Sequence, residues 1–312
     1  MKLLKDLLVD SYSGDYGKIV KVIVKYLKKN TNARIILQKF GKKKVNVIAI
    51  FGKPTLLINC HMDTVVPVGK WDSNPLKLTE KNGKLYGLGT CDVKGSLYCL
   101  LKAVANKRPK NLMLLFSFDE ETGNIESGVH QFLKTKYTKG IKKAIVCEPT
   151  ELKVIHKHKG YYSFIIKVVT KPGHSSGSLK DSAITKAAKM LLKLSDLEFN
   201  IGKVEGGSKG NIIAHSCEFK ASIRSYEKFS DIVKKIKKVC QGATIQQRFI
   251  GPSLNQEGNE VNFWTEAALF KIEGIESFVF GVGSIKQAHK NNEFIQKKDI
   301  IKGIKGFEKM IK

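Results

Sequence analysis

Seven side chains able to bind a metal or move a proton stand at the ends of apolar runs or in nearby loops. They are His61 with Asp63, Asp92, the pair Glu120-Glu121, Glu148 and His289. Imidazoles mixed with carboxylates form a donor set for a borderline divalent cation such as Zn²⁺. In α/β sheets, sites gather outside the carboxyl ends of the strands. The apolar runs Leu56 to Cys60, Leu112 to Phe118 and Lys143 to Cys147 each deliver one of these groups where the run stops. Several acids thereby meet on one rim. Burying them together without a cation is prohibitive, and two metals resolve the electrostatics. Each signal has a plainer reading when taken alone. A strand-end His is ordinarily a satisfied imidazole. Asp119-Glu120-Glu121 reads as a solvated loop, and Cys147-Glu-Pro-Thr150 as a strand exit with Pro149 ending the ladder. Their conjunction, in this order, favours the metal reading.

The elements that must position these groups follow from periodicity. Residues 1–30 read as a helix, with Leu4, Leu7, Leu8, Ile19, Val22, Ile23, Tyr26 and Leu27 at helical spacing. Strands are expected over 34–39, 46–51 and 55–59, and residues 65–90 read as loop. A buried helix over 96–105, a strand over 111–118, a helix over 127–134 and a strand over 143–147 follow. Strands alternating with helices imply an α/β fold with mostly parallel pairing. The pattern then changes to strands over 161–170, 197–204, 217–224 and 243–250 and helices over 182–194 and 229–239, a smaller α+β unit. The chain returns to helix over 260–269, a strand over 276–281 and a helix over 298–311.

Composition excludes other classes. Hydrophobic residues make up 42% and charged residues 27% of 312 positions, which is ordinary globular usage. No apolar run reaches the roughly 20 residues of a membrane helix. The first residues, Met1-Lys-Leu-Leu-Lys-Asp6, interleave charge with leucine and read as an amphipathic helix rather than a signal peptide. A soluble, cytoplasmic protein without membrane or nucleic-acid partners is expected. The net charge of +27 rests on 55 Lys and Arg against 28 acids, yet only four of the 55 are Arg. Scattered lysines are a solvated basic surface or a field attracting anionic substrates, not a focused nucleic-acid patch. The six cysteines include no CxxC pair, so neither a disulfide framework nor a zinc knuckle is indicated. Cys60, Cys91 and Cys147, each just before a candidate ligand, read as apolar fillers, redox-sensitive thiols or ligands.

Five segments taken together resemble the M20 metallopeptidase and deacylase family: Cys60-His-Met-Asp-Thr64, Gly87-Leu-Gly-Thr-Cys-Asp-Val-Lys-Gly95, Asp119-Glu-Glu-Thr-Gly123, Cys147-Glu-Pro-Thr150 and Ala288-His-Lys-Asn-Asn-Glu293. The family includes acetylornithine deacetylase, succinyl-diaminopimelate desuccinylase, acetyl-lysine deacetylase and glutamate-releasing carboxypeptidases. The resemblance runs from about residue 5 to 305. It implies a zinc-exopeptidase-like mixed sheet flanked by helices, formed by residues 1–159 with 251–312, and an inserted α+β lid and dimerisation domain over 160–250. It further implies two Zn²⁺ per subunit, with Co²⁺ or Mn²⁺ as substitutes. His61, Glu148 and Asp92 would hold one ion, and Asp92, Glu121 and His289 the other, with Asp92 bridging. By the same resemblance Asp63 orients His61, Glu120 is the general base, and the peptide after Asp92 is cis. His174 would reach across a homodimer to stabilise an oxyanion, its alternative being a locally bonded loop imidazole. Asn211 and Arg224 would bind substrate, although Arg224 also suits a structural salt bridge.

The His158-Lys159-Gly160 segment resembles the acetylornithine deacetylase pattern, which points to a small-molecule N-acyl amino acid such as N-acetylornithine, N-acetylcitrulline or N-acetyl-lysine. A desuccinylase, a di- or tripeptidase of the same fold, and remotely a non-catalytic basic binding protein are the alternatives.

Overall fold

The computed structural model describes residues 1–122, 126–177 and 179–311. The chain opens with helices α1 (Lys2–Leu7) and α2 (Gly17–Asn30), followed by strands β1 (Arg34–Phe40), β2 (Lys44–Gly52) and β3 (Leu56–His61). A hairpin of β4 (Thr79–Lys81) and β5 (Lys84–Tyr86) precedes α3 (Lys94–Lys107), β6 (Asn111–Ser117), α4 (Gly128–Leu133) and β7 (Lys143–Val146). The next stretch contains β8 (Gly160–Val169), α5 (Ala183–Asp196), β9 (Asn200–Gly206), β10 (Ser216–Ser225), α6 (Phe229–Val239) and β11 (Thr244–Gly251). It closes with α7 (Ala267–Ile272), β12 (Glu276–Val279), β13 (Phe294–Gln296) and α8 (Lys297–Met310). Two units result. One comprises Met1–Lys157, Gln256–Val261 and Thr265–Lys312; the other comprises His158–Asn255 with Asn262–Trp264.

The first unit is built on a six-stranded mixed sheet of order β1-β2-β6-β3-β7-β12. β3 runs parallel to both β6 and β7, and β12 runs parallel to β7, while β1 and β2 join antiparallel. The central strands are apolar without alternation because both faces are covered. Val47, Ala49, Ile58, Leu112, Leu114 and Phe116 pack into one core with residues of α1, α2, α3 and α8. On the opposite side Phe132 of α4 meets Phe270 of α7. The parallel trio β3, β6 and β7 ends at one edge, which brings His61, the segment after Ser117 and Glu148 together.

The second unit is an antiparallel sheet of order β9-β10-β8-β11. Its alternation is clean along β8, where Tyr162, Phe164, Ile166 and Val168 are buried with Ala187 and Leu194 of α5 and Ile232 and Ile236 of α6.

Three expectations need correction. Residues 1–30 are two helices, not one: Asp10 accepts the backbone N–H groups of Tyr12 and Ser13, Asp15 accepts that of Gly17, and Gly14 turns at φ 75°. Side-chain carboxylates that capture backbone donors compete with the helix. Residues 65–90 contain the β4–β5 hairpin, whose two-residue turn Asn82-Gly83 has both φ values positive, the geometry this dipeptide favours. The helix expected over 260–269 starts only at Ala267; Glu260–Val261 is strand, and the Thr265 hydroxyl accepts the Ala267 N–H at 3.3 Å.

Candidate metal centre

His61 ends β3 and is 2% exposed. Its Nε2 lies 3.4 Å from Asp92 Oδ1 and 4.0 Å from Glu148 Oε1. The other oxygen of Asp92, Oδ2, lies 3.5 Å from Nε2 of His289, which is also 3.0 Å from Glu121 Oε1. Asp92 thus offers one oxygen to each imidazole. The donor atoms of His61, Asp92 and Glu148 lie within 4.8 Å of one another, as do those of Asp92, Glu121 and His289, and those of His61, Glu120 and Glu121. Three buried atoms, His61 Nε2, Asp92 Oδ1 and Glu148 Oε1, have no hydrogen-bond partner among the described residues. Buried polar atoms are rarely left unpaired. Three that converge on one point fit a cation held by nitrogen and oxygen donors.

The surrounding backbone is shaped to hold this arrangement. The Asp92–Val93 peptide is cis, as the resemblance implied. Asp119 and His289 sit at φ 59° and 60°, a region non-glycine residues enter only under constraint. Asp119 is held there by the Tyr16 hydroxyl, which donates to Oδ1 at 2.7 Å, and by an ion pair with Lys44. Glu293 is 2% exposed and accepts the backbone N–H groups of Gly89, Cys91 and Asp92 at 2.8, 2.7 and 3.0 Å. Its carboxylate thus ties down the loop that presents Asp92.

Asp63 meets His61 at the second ring nitrogen, Nδ1. Its backbone carbonyl lies 3.1 Å from His61 Nδ1 and its carboxylate 3.6 Å. The carboxylate also accepts the backbone N–H groups of Glu120 and Glu121 at 3.3 and 2.9 Å. Asp63 therefore braces His61 and the two glutamates together. Thr122 is the last described residue of the Asp119–Gly123 segment, and Gly123 lies outside the described residues.

Electrostatics of the protein groups reflect crowding of acids. Burial, with Asp92 and Glu120 nearby, pushes Glu148 well above the ordinary carboxylate range. Burial raises Glu120 as well, opposed by His61 and reinforced by Glu121. Burial would pull His61 down, but Asp63 and Asp92 hold it well above its usual value. Asp92 and Glu121 hold His289 up at about 10. A divalent cation inverts this logic, favouring ionised carboxylates and neutral imidazoles.

The other positions singled out in the sequence are the cysteines and three residues of the second unit. All six cysteines are free and buried, and none joins a potential ligand group among the described residues. Cys60 and Cys147 pack in the apolar core, and Cys91 meets the backbone of Ser284. His174, Asn211 and Arg224 belong to the second unit. His174 is exposed and its Nδ1 is 2.8 Å from the Ser176 hydroxyl, a local bond. Asn211 is exposed, and its backbone carbonyl accepts the Ser175 N–H. Arg224 lies over the Tyr161 ring at 4.8 Å and makes no salt bridge among the described residues, so the structural ion pair is not found.

Comparison with known proteins decides the family. The family model for peptidase family M20/M25/M40 matches residues 57–312. The chain belongs to the M20/M25/M40 peptidase family. It is 30% identical over 303 residues to an N-acetyl-L-citrulline deacetylase of Xanthomonas campestris pv. campestris, covering 82% of this chain and 81% of the relative. It is 29% identical to an acetylornithine deacetylase of Myxococcus xanthus, covering 85% and 84%. Among solved structures it is similar to aminopeptidase PepT of Bacillus cereus, with a TM-score of 0.81 and 19% identity over 99% of this chain and 96% of that one. This M20 protein is a metal-dependent amidohydrolase of mixed α/β fold. No helix among its described residues is long and apolar enough to cross a membrane.

Sequence reasoning left four groups near this centre without a role: Lys44, Tyr16, Glu293 and Glu266. Glu293 stood within a quoted motif. Glu266 is a lone acid inside an apolar stretch, Thr265-Glu-Ala-Ala-Leu-Phe270, and that mismatch was the available signal.

Proposed function

We propose that this protein is a zinc-dependent deacylase that removes the acetyl group from an N-acetyl amino acid such as N-acetylornithine or N-acetylcitrulline. The observation that carries the metal chemistry is Asp92 presenting one oxygen to His61 at 3.4 Å and the other to His289 at 3.5 Å, amid unpartnered buried donors. His61, Asp92 and Glu148 would hold one ion, and Asp92, Glu121 and His289 the second. Two Zn²⁺ bound there supply Lewis acidity that acidifies water and polarises an amide carbonyl. Glu120 accepts the proton of the attacking water as its oxygen adds to the carbonyl carbon. Glu120 then delivers that proton to the departing nitrogen as the C–N bond breaks. Asp63 keeps Glu120 and Glu121 in place through their backbone N–H groups.

The acetyl preference draws on the names of the relatives and on His158-Lys159-Gly160. The Arg224 fork, with no salt bridge among the described residues and lying over the Tyr161 ring, suits a substrate α-carboxylate. Asn211 would bind substrate, and His174 would stabilise the oxyanion of a partner subunit in a homodimer. Six reduced thiols suit the cytoplasm. The test is a hydrolysis panel after chelator treatment, with zinc, cobalt or manganese added back. It compares N-acetylornithine, N-acetylcitrulline, N-acetyl-lysine, succinyl-diaminopimelate and tripeptides. Metal-dependent release of acetate, fastest from an N-acetyl amino acid, is expected. Faster turnover of peptides or of the succinyl substrate overturns the acetyl assignment.

A further inference from the structure

A buried carboxylate outside the ligand set joins the segments that carry His61, Glu120 and Glu121. Glu266 stands immediately before α7 and is 1% exposed. Its Oε2 accepts Asn59 Nδ2 at 3.0 Å, and its Oε1 accepts the Ser127 hydroxyl at 3.0 Å. Ser117 Oγ donates to Asn59 Oδ1 at 3.1 Å, with Glu266 Oε2 also in reach at 3.5 Å. Each partner occupies a telling place. Asn59 precedes His61 by two residues on β3, so both point to the same face of the sheet. Ser117 is the last residue of β6 and pairs in register with His61. Ser127 is the residue before α4.

Ser117 and Ser127 stand on either side of Glu120 and Glu121 in the chain, and both reach Glu266. These two flanks form a tight neck. Gly128 N–H donates to the Phe118 carbonyl at 2.7 Å, and a Cβ on Gly128 would fall 2.5 Å from the Phe118 nitrogen. A carboxylate is the group that can receive donors on both of its oxygens at once. A glutamine there would either turn its N–H₂ toward Asn59 Nδ2 and lose that bond, or turn it toward Ser127 and force that hydroxyl to accept instead of donate. Burying such an acid is unfavourable unless its lone pairs are used, and here they are used to hold the loop neck against the strand that ends in His61.

We propose that Glu266 is a positioning residue of the metal centre. It fixes the distance between His61 and the Glu120–Glu121 loop without touching substrate or metal. The inference rests on the reading of Glu120 as base and of His61 and Glu121 as ligands. Its test uses the full-length protein with Glu266→Gln, Ser127→Ala and the double variant. Zinc affinity is read by competition with a chromophoric chelator, kcat and KM on N-acetylornithine, and folding by thermal unfolding.

Glu266→Gln should weaken zinc binding and lower kcat by about ten- to hundredfold, the range seen when groups supporting ligands are removed, with KM within about twofold. Ser127→Ala should move both in the same direction by a smaller factor, and the double variant should be no worse than Glu266→Gln alone, as members of one network behave. Folded variants that keep wild-type zinc affinity and kcat overturn the proposal. If Glu266→Gln does not fold, unchanged zinc affinity in Ser127→Ala overturns it. Should the wild type hydrolyse no acylated amino acid, the functional reading fails, while the zinc measurements still decide the role of Glu266.

Discussion

Replacing Asp92 by asparagine removes one charge and one acceptor while keeping the side chain's size. The two oxygens of Asp92 lie 3.4 Å and 3.5 Å from the nitrogens of His61 and His289, so each faces one of the two proposed ion positions. A pair of unit charges about 4 Å apart is worth about 4 kcal/mol at an effective dielectric of about 20. A divalent ion increases that attraction, and the desolvation of Asp92, 6% exposed, offsets part of it. A net loss of at least about 4 kcal/mol for the more weakly held ion corresponds to about a thousandfold in affinity. Metal content after dialysis against a weak chelator is the assay, supported by a competition titration. The wild type should retain two zinc ions per chain and Asp92→Asn one or none. An Asp92→Asn protein that keeps two ions with affinity within tenfold of the wild type refutes the bridging role.

Glu120→Gln should lower kcat at least about a hundredfold and leave both zinc ions bound, as read by turnover and metal analysis on one sample; retained turnover counts against Glu120 as base. His158 in the second unit is fully buried, and burial holds its imidazole down at about 4 from the usual 6.5. The unfolded chain takes up that proton near 6.5 and the native state refuses it until about 4, so stability present above pH 6.5 falls across this window, by up to about 3 kcal/mol. His158→Gln should show a shallower decline of unfolding temperature between pH 7 and 4.5, and parallel declines would show that another group is responsible.

Of the candidate metal ligands, Asp92 and His289 were legible only within the segments that resemble the M20 family; His61, Glu121 and Glu148 were legible because they follow the ends of apolar runs, and the parallel strands β3, β6 and β7 end on one edge. The bulk of the strands and helices was legible for the same reason: a sheet covered on both faces leaves unbroken apolar runs. Local competition for backbone donors was harder to see. Asp10 and Asp15 split the first helix, although the surrounding leucines and isoleucines kept helical spacing across the break. Asn82-Gly83 is a strong turn signal, yet strands of three residues are too short to show alternation. The link from Asp63 to Glu120 and Glu121 escaped because it runs to their backbone N–H groups, which carry no residue-type signature. Glu266 escaped because Asn59, Ser117 and Ser127 lie 139 to 207 positions away in the chain and meet it only through the fold.

The most direct test of the account is diffraction from crystals grown with zinc, recorded on both sides of the zinc absorption edge. The account predicts two anomalous peaks in each chain, one enclosed by His61, Asp92 and Glu148 and the other by Asp92, Glu121 and His289. Zinc bound only at other residues, or these five side chains empty at saturating zinc, would contradict it.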